Sequence, residues 1–505
     1  MRSRPALRAS VLATTLVTLM VMLGAGPVQA SAGVRHANAS VRRAARGGPG
    51  VWTKVAKVDN GFDYPGLLRT GDGKLHVLWR KQLPNGHFAY GYTTIALNGV
   101  IGATGTALSD WVTLDEDPVL IANGNGIRAL FKGGIDTGGG FFSRGSIYTL
   151  TSTIAGTTWQ LPQQTVMQQR DGLGDLGGTA EADHTPVAVS PFNNTLYYHE
   201  GLDSSSPAAA PDGTASLSSG DYEHPSAVTA SDDSVWVAYF RIFSSPPGLN
   251  GYYVQQVLPN KDQPIKAPDS TPKSGGNNDP NQAVAMVARG RGGVYLAYCV
   301  PGPNGGFTVP CAHVDLWKVG SPTPMVVPGT GSGTITHVAL AAGLAGRISV
   351  VTEDAAKQTI NAVRTNMTAT KFGPVRTIKL PPGQVLFNRL EAEGTFGRLD
   401  IVVDLQASAS PNPIFLWHTQ ILSGLTLTAS PQTFSHTAAH TVTFIVKDAG
   451  DPVPGAKVTC LGKSATTNGQ GEAKITFPKG TKTGQHVATA SDSDYNPGKV
   501  TIKVT

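Results

Sequence analysis

A short phrase recurs about seven times along this chain. A polar residue and a proline lead into an apolar stretch, a tight turn follows, and a second apolar stretch runs back. The first copy reads Asp63-Tyr64-Pro65-Gly66-Leu67-Leu68-Arg69-Thr70, turns at Asp72-Gly73, and returns as Leu75-His76-Val77-Leu78-Trp79. Further copies lead with Asp117-Pro118, His184-Thr185-Pro186, His224-Pro225 and Asp279-Pro280. Two weaker copies lead with His337 and Arg389. A unit this short cannot bury its own apolar faces, so neighbouring units must cover them.

The apolar residues alternate and are bounded by Gly, Asp and Asn, the pattern of strands and turns. Helical periodicity is almost absent. Sixty Gly and 35 Pro with only 15% charged residues fit a turn-rich all-β chain. A third strand follows most pairs, for example at residues 90–96, 146–152 and 252–258. Spacing between the equivalent prolines varies from 39 to 68 residues, which places the insertions in loops. Three to four strands per repeat with a variable period describe a β-propeller. It has seven blades, or six if one weak copy is not a full blade. The last copy lacks an outer strand, while Trp52-Thr53-Lys54-Val55-Ala56-Lys57-Val58 has no partner near the first. That segment is predicted to complete the last blade and close the ring, leaving no exposed edge.

Composition changes after Gly424. Short alternating strands continue, and three stretches resemble the bacterial immunoglobulin-like domains of surface proteins, of the invasin type. They are Val446-Lys447-Asp448-Ala449-Gly450-Asp451-Pro452-Val453-Pro454-Gly455-Ala456-Lys457-Val458, Thr466-Thr467-Asn468-Gly469-Gln470-Gly471-Glu472-Ala473, and His486-Val487-Ala488-Thr489-Ala490. The resemblance implies a C-terminal β-sandwich. The expected organisation is a propeller over residues 51–423 and an immunoglobulin-like domain over 424–505.

Residues 1–30 read as an export signal. Arg2, Arg4 and Arg8 precede an apolar run at residues 11–23, and Val28-Gln29-Ala30 offers small-residue cleavage. The run falls short of the ~20 residues of a membrane span. Residues 31–50 read as a disordered linker carrying Arg35, Arg42, Arg43 and Arg46. The chain is thus expected to be secreted, with no transmembrane span after signal removal. Without the three signal arginines the formal charge falls from +6 to +3, and no basic stripe argues for nucleic acid. Export permits a disulfide between Cys299 and Cys311, which end two strands expected to pair. Cys460 reads as a buried free thiol.

Strand direction separates two faces. The tight Asp-Gly turns lie on one. The starts of the inner strands and the variable loops lie on the other, which is the better candidate for binding. Asp63, Asp117, His184, His224, Asp279, His337 and Arg389 are expected to ring the channel there, with Arg80, Arg144 and Arg241 in adjacent loops. Channel mouths are polar whatever their use, so polarity alone assigns nothing. A glycosidase needs two carboxyls about 5–10 Å apart, or a nucleophile such as Tyr. Glu116, Glu200, Glu223 and Glu353 are the nearest acids, and Tyr64 and Tyr222 qualify by type. Asp115-Glu116-Asp117 and Asn277-Asn278-Asp279 are oxygen-rich enough to attract calcium, but turns of that composition are common, and no cofactor is expected. No zinc spacing, phosphate loop or serine elbow is present.

Ser152-Thr153-Ile154-Ala155-Gly156-Thr157-Thr158-Trp159 is similar to the Asp-box of sialidase-type propellers, with Ile154 where the Asp belongs. Asp-boxes are structural turns. The resemblance implies three arginines for a carboxylate, an acid and a Tyr–Glu pair. This chain matches that set only loosely, through Arg80, Arg241 and Arg389. The expected function is a secreted or cell-surface recognition protein whose propeller binds glycan or another extracellular ligand, the partner being an extracellular glycan or a cell-envelope component. The alternative is a glycoside hydrolase or polysaccharide lyase acting at the channel mouth.

Overall fold

The computed structural model describes residues 48–58, 64–114, 117–134, 146–156, 158–160, 162–166, 176–192, 195–201, 212–216, 221–242, 247–271, 284–302 and 311–505. The export signal, most of the linker, Asp63, Asp279, Glu116, Arg144 and the oxygen-rich turns at 115–116 and 277–279 lie outside these residues. The chain is all-β. No helix of the described residues is long and apolar enough to cross a membrane.

The repeats fold as antiparallel sheets with strands in chain order. The first sheet contains Gly66–Arg69, Leu75–Gln82, Phe88–Ile95 and Gly105–Trp111. Its register, Gly66 opposite Leu78 and Arg69 opposite Leu75, places the turn at Asp72-Gly73. The other inner strands are Val119–Asn123, Gly177–Ala180, Asp221–Thr229, Ala285–Ala288, Ile335–Ala342 and Gln384–Glu393. The fifth and sixth sets are joined by one pair, Cys311 opposite Ile335. Each inner strand contacts the next, and Gln384–Glu393 contacts Gly66–Arg69, so the cycle closes. Apolar faces are buried between adjacent sheets: Phe131 and Tyr148 pack with Tyr90 and Trp111 of the first sheet. This radial arrangement is a β-propeller.

Closure joins chain segments far apart in sequence. Thr53–Val58 pairs antiparallel with Ile414–Ile421 as the outer strand of the last sheet. Beside it, Asp400 is fully buried and accepts from the Arg69 guanidinium, from His418 Nε2 at 2.7 Å and from Gln420 Nε2 at 2.9 Å. Arg69 also donates to Glu393 and to the Gly73 carbonyl at 2.7 Å. The first inner strand is thereby bound to the last through charged groups largely shielded from water.

The third copy is built differently from the sequence reading. Its inner strand is Gly177–Ala180, and the apolar run Pro186–Phe192 is the second strand. The phrase His184-Thr185-Pro186 is the turn between them, with His184 N–H donating to Glu181 O. His184 therefore lies exposed on the turn face, not at the channel entry. Glu200, opposite Val187, lies on that face too. Packing explains the disguise. A Cβ on Gly177 would fall 2.9 Å from the Pro225 carbonyl, and one on Gly178 would fall 2.7 Å from Leu130. Neighbouring sheets approach too closely for the apolar side chains by which a strand is recognised.

Residues 425–504 have their own core, centred on Phe444, Val458, Phe477 and Ile502, between two sheets. They dock on the turn face of the sixth and seventh sheets. Arg347 reaches Asp451 at 2.8 Å and Asp448 at 3.4 Å, Arg364 also binds Asp448, and Asp451 accepts the Met367 N–H at 2.7 Å. The entry face of the inner strands is opposite this contact. Cys299 and Cys311 are bonded, with Cα atoms 5.1 Å apart, and Cys460 is a buried free thiol.

Removing one partner from a buried ion network leaves the others desolvated and uncompensated. Asp400→Ala is expected to lower the unfolding free energy by about 3–5 kcal/mol, on that basis. Urea denaturation of the full chain measures it. A loss below about 1 kcal/mol, the scale of an exposed ion pair, would show that backbone pairing alone closes the ring.

Candidate functional site

The first and last sheets meet at the channel entry as well as at the turn face. Two residues before its first strand, Tyr64 is buried, and its N–H donates to Asp117 Oδ1 at 3.3 Å. The Arg389 guanidinium lies 3.5 Å from the Tyr64 ring centroid, a close cation–π contact. Arg389 does not start its strand, as the sequence suggested. The strand begins at Gln384, and Arg389 falls in a bulge between Leu386 and Leu390. The bulge turns Arg389 out of the pleat, toward Tyr64.

Glu391 follows in the same strand, facing the first sheet with Arg389 while Leu390 and Ala392 face the sixth. The residue is half-buried, and desolvation pushes its pKa up to about 8 despite the nearby Arg389 charge. The phenol of Tyr64 is also pushed well above its ordinary value, first by burial. Arg389 opposes that shift, and the Asp117 and Glu391 carboxyls add to it. At neutral pH the entry thus presents a neutral phenol, a mostly protonated carboxyl and a guanidinium. All three are hydrogen-bond donors.

The other candidates are dispersed. Arg80 is buried, donates to the Leu114 carbonyl at 3.1 Å and packs over Phe88, so it braces the first sheet against the second. Arg241 lies over Tyr222 and Tyr253, at 5.5 and 5.7 Å from the ring centroids. His224 occupies a bulge in the fourth inner strand at φ 50°, and its carbonyl accepts the Val284 N–H. Glu223 precedes it, opposite Phe240. His337 pairs with Glu353 in the sixth sheet. The Asp-box-like segment is a turn: Ser152 Oγ donates to Thr158 O at 2.7 Å, and Trp159 packs edge-on against Tyr92. Among the described residues no cluster of His, Cys, Asp and Glu could hold a metal ion.

Toward the turn face the inner strands line a cavity of about 460 Å³. Aliphatic side chains dominate its wall, including Leu67, Leu120, Ile121, Val228 and Val287. Sequence reasoning missed Glu391. The signal was present, because two acids, Glu391 and Glu393, alternate with core residues in an inner strand. A half-buried strand with charge on its other face needs a partner for each charge. Arg69 takes Glu393, and Glu391 is left beside Arg389.

No protein-family model matches the sequence, and no curated protein does. Solved structures resemble it at low levels. The polysaccharide lyase Uly1 aligns with TM-score 0.45 at 9% identity, over 71% of this chain and 90% of its own. The β-propeller domain of the Trilobed protease from Pyrococcus furiosus aligns with TM-score 0.39 at 9% identity, over 71% and 98%. An exo-β-1,3-galactanase from Phanerochaete chrysosporium aligns with TM-score 0.34 at 10% identity, over 90% and 99%. Likeness of this degree carries no functional argument.

A carboxyl raised in the folded state binds more protons than in the unfolded chain between its two pKa values. For Glu391 that window runs from the ordinary value of 4.5 to about 8. Stability from this group is intact below the window and falls as pH rises through it. Glu391→Gln is expected to flatten that decline, measured as unfolding free energy against pH. Parallel curves for the two proteins would show that Glu391 ionises normally.

Proposed function

We propose that this chain is a secreted or cell-surface recognition protein. Its seven-bladed propeller binds a glycan or a similar hydroxyl-rich envelope ligand at the channel entry, and an immunoglobulin-like domain spanning residues 424–505 acts as a spacer. The closed cycle of inner strands supports the seven-bladed reading, and the separate core of residues 425–504 supports the sandwich. The observation that carries the functional reading is the donor cluster of Tyr64, Arg389 and Glu391 on the face opposite the docked C-terminal sheets. Sugar hydroxyls and ring oxygens accept from such donors, and aromatic and guanidinium planes suit sugar faces.

A second reading is favoured by one observation, the raised pKa of Glu391 in a corner where the Asp117 and Glu391 carboxyls both act on Tyr64. A carboxyl that keeps its proton at neutral pH can serve as a general acid, with Asp117 as the second carboxyl. On this reading the entry is the active site of a glycoside hydrolase or polysaccharide lyase.

A glycan array with the full chain separates the two, followed by incubation of each bound glycan. Binding without turnover, weakened at least about tenfold by Arg389→Ala (about 1.4 kcal/mol), is the expected outcome. Release of reducing ends or of an unsaturated product would sink simple recognition and establish the enzyme. Absence of any glycan binding would sink both.

A further inference from the structure

Among the polar residues leading the inner strands, His337 is held in an unusual way. It sits directly opposite Glu353 in the sheet, and its Nδ1 lies 2.8 Å from Glu353 Oε2. The Glu353 side chain is 1% exposed and that of His337 is 11% exposed. Glu353 Oε1 is buried with no hydrogen-bond partner among the described residues. Burying a carboxylate is costly, and leaving one of its oxygens unsatisfied costs more. Packing does not demand it, because the same seam is filled by Ala339, Val351 and Leu390. A half-satisfied buried acid calls for a role beyond cohesion.

A carboxylate can only accept, so the proton between the pair belongs to Nδ1. In the neutral imidazole, Nε2 is then a lone-pair acceptor. Among the described residues it is neither bonded nor counted with the buried unsatisfied atoms. The strand Gln384–Glu393 separates this pair from the donor cluster: Leu390 and Ala392 face His337's seam, and Arg389 faces Tyr64. An acceptor thus stands on one side of the strand and donors on the other.

The geometry points to His337 as a hydrogen-bond acceptor for a ligand hydroxyl at the channel entry, with Glu353 as the positioning residue that fixes its tautomer. This deepens the recognition reading and rests on it for the ligand. The ligand class is one that carries a hydroxyl able to donate to Nε2, as a sugar does.

Two measurements on the full chain test it. In protein labelled with ¹⁵N-histidine, the imidazole of His337 should be the Nδ1–H tautomer, and Glu353→Gln should redistribute it. An Nε2–H tautomer in the unsubstituted protein overturns the proposal, whatever the ligand. Carbethoxylation by diethyl pyrocarbonate, mapped by mass spectrometry, then reports access to Nε2, with methyl glycosides of common hexoses and hexuronic acids as probes. At least one glycoside should slow modification of His337 and leave exposed His184 unaffected. If the chain binds array glycans and none of the binding sugars protects His337, the contact is wrong while the recognition reading stands. If no array glycan binds, the recognition reading itself fails.

Discussion

The fold depends on one buried ion network. Arg69 belongs to the first inner strand and Asp400 to the last sheet, 331 residues away in sequence. Asp400 is fully buried and accepts from three side chains, so removing any donor leaves charge in a medium that cannot solvate it. The strand Thr53–Val58 completes the same sheet from the other edge. Backbone pairing and charge pairing thus act at one seam. The donor cluster stands at the entry end of that seam, and its geometry therefore depends on the seam being shut. Tyr64 and Arg389 come from opposite sides of the closure and meet only when the ring is complete.

Much of this architecture is legible in the sequence, because alternation and tight turns are local signals. The Asp72-Gly73 turn, the unpartnered strand before the first copy and the change after Gly424 all follow from short windows. The third copy shows where local signals fail. Its inner strand is Gly177-Gly178-Thr179-Ala180, small because neighbouring sheets crowd it, and the strongest apolar run nearby belongs to the next strand. A pattern reader takes Pro186–Phe192 as the start and puts His184 on the wrong face. Arg389 shows a second limit. Its side chain is redirected by a bulge, which depends on pairing with Leu399–Ala407.

The site was less legible than the fold. Grouping polar residues on the entry face gathered Asp117, His337 and Arg389 with Arg80, expected in an adjacent loop but found in the strand Leu75–Gln82 bracing the first sheet against the second. What distinguishes the useful ones is their environment. Glu391 carries a raised pKa because of walls built by distant strands, and Glu353 carries an unsatisfied oxygen because an apolar seam surrounds it. The alternation of Glu391 and Glu393 with core residues hints at the first property, and the second has no sequence signature. Both are found by asking which buried polar groups the packing does not require.

The docking of residues 425–504 on the turn face has a mechanical consequence. Arg347 and Arg364 grip Asp448 and Asp451, so the C-terminal sheets bear on the sixth and seventh sheets rather than swinging from Gly424. Force applied through the C-terminal end would be borne first by these ion pairs and by the pairing of Ser423–Gly424 with Tyr495–Asn496. It would then pass into the sheet that closes the ring. A pull from one end would thus be felt at the seam where Tyr64 meets Arg389, so tension on the C-terminal sheets would load the contacts that close the ring.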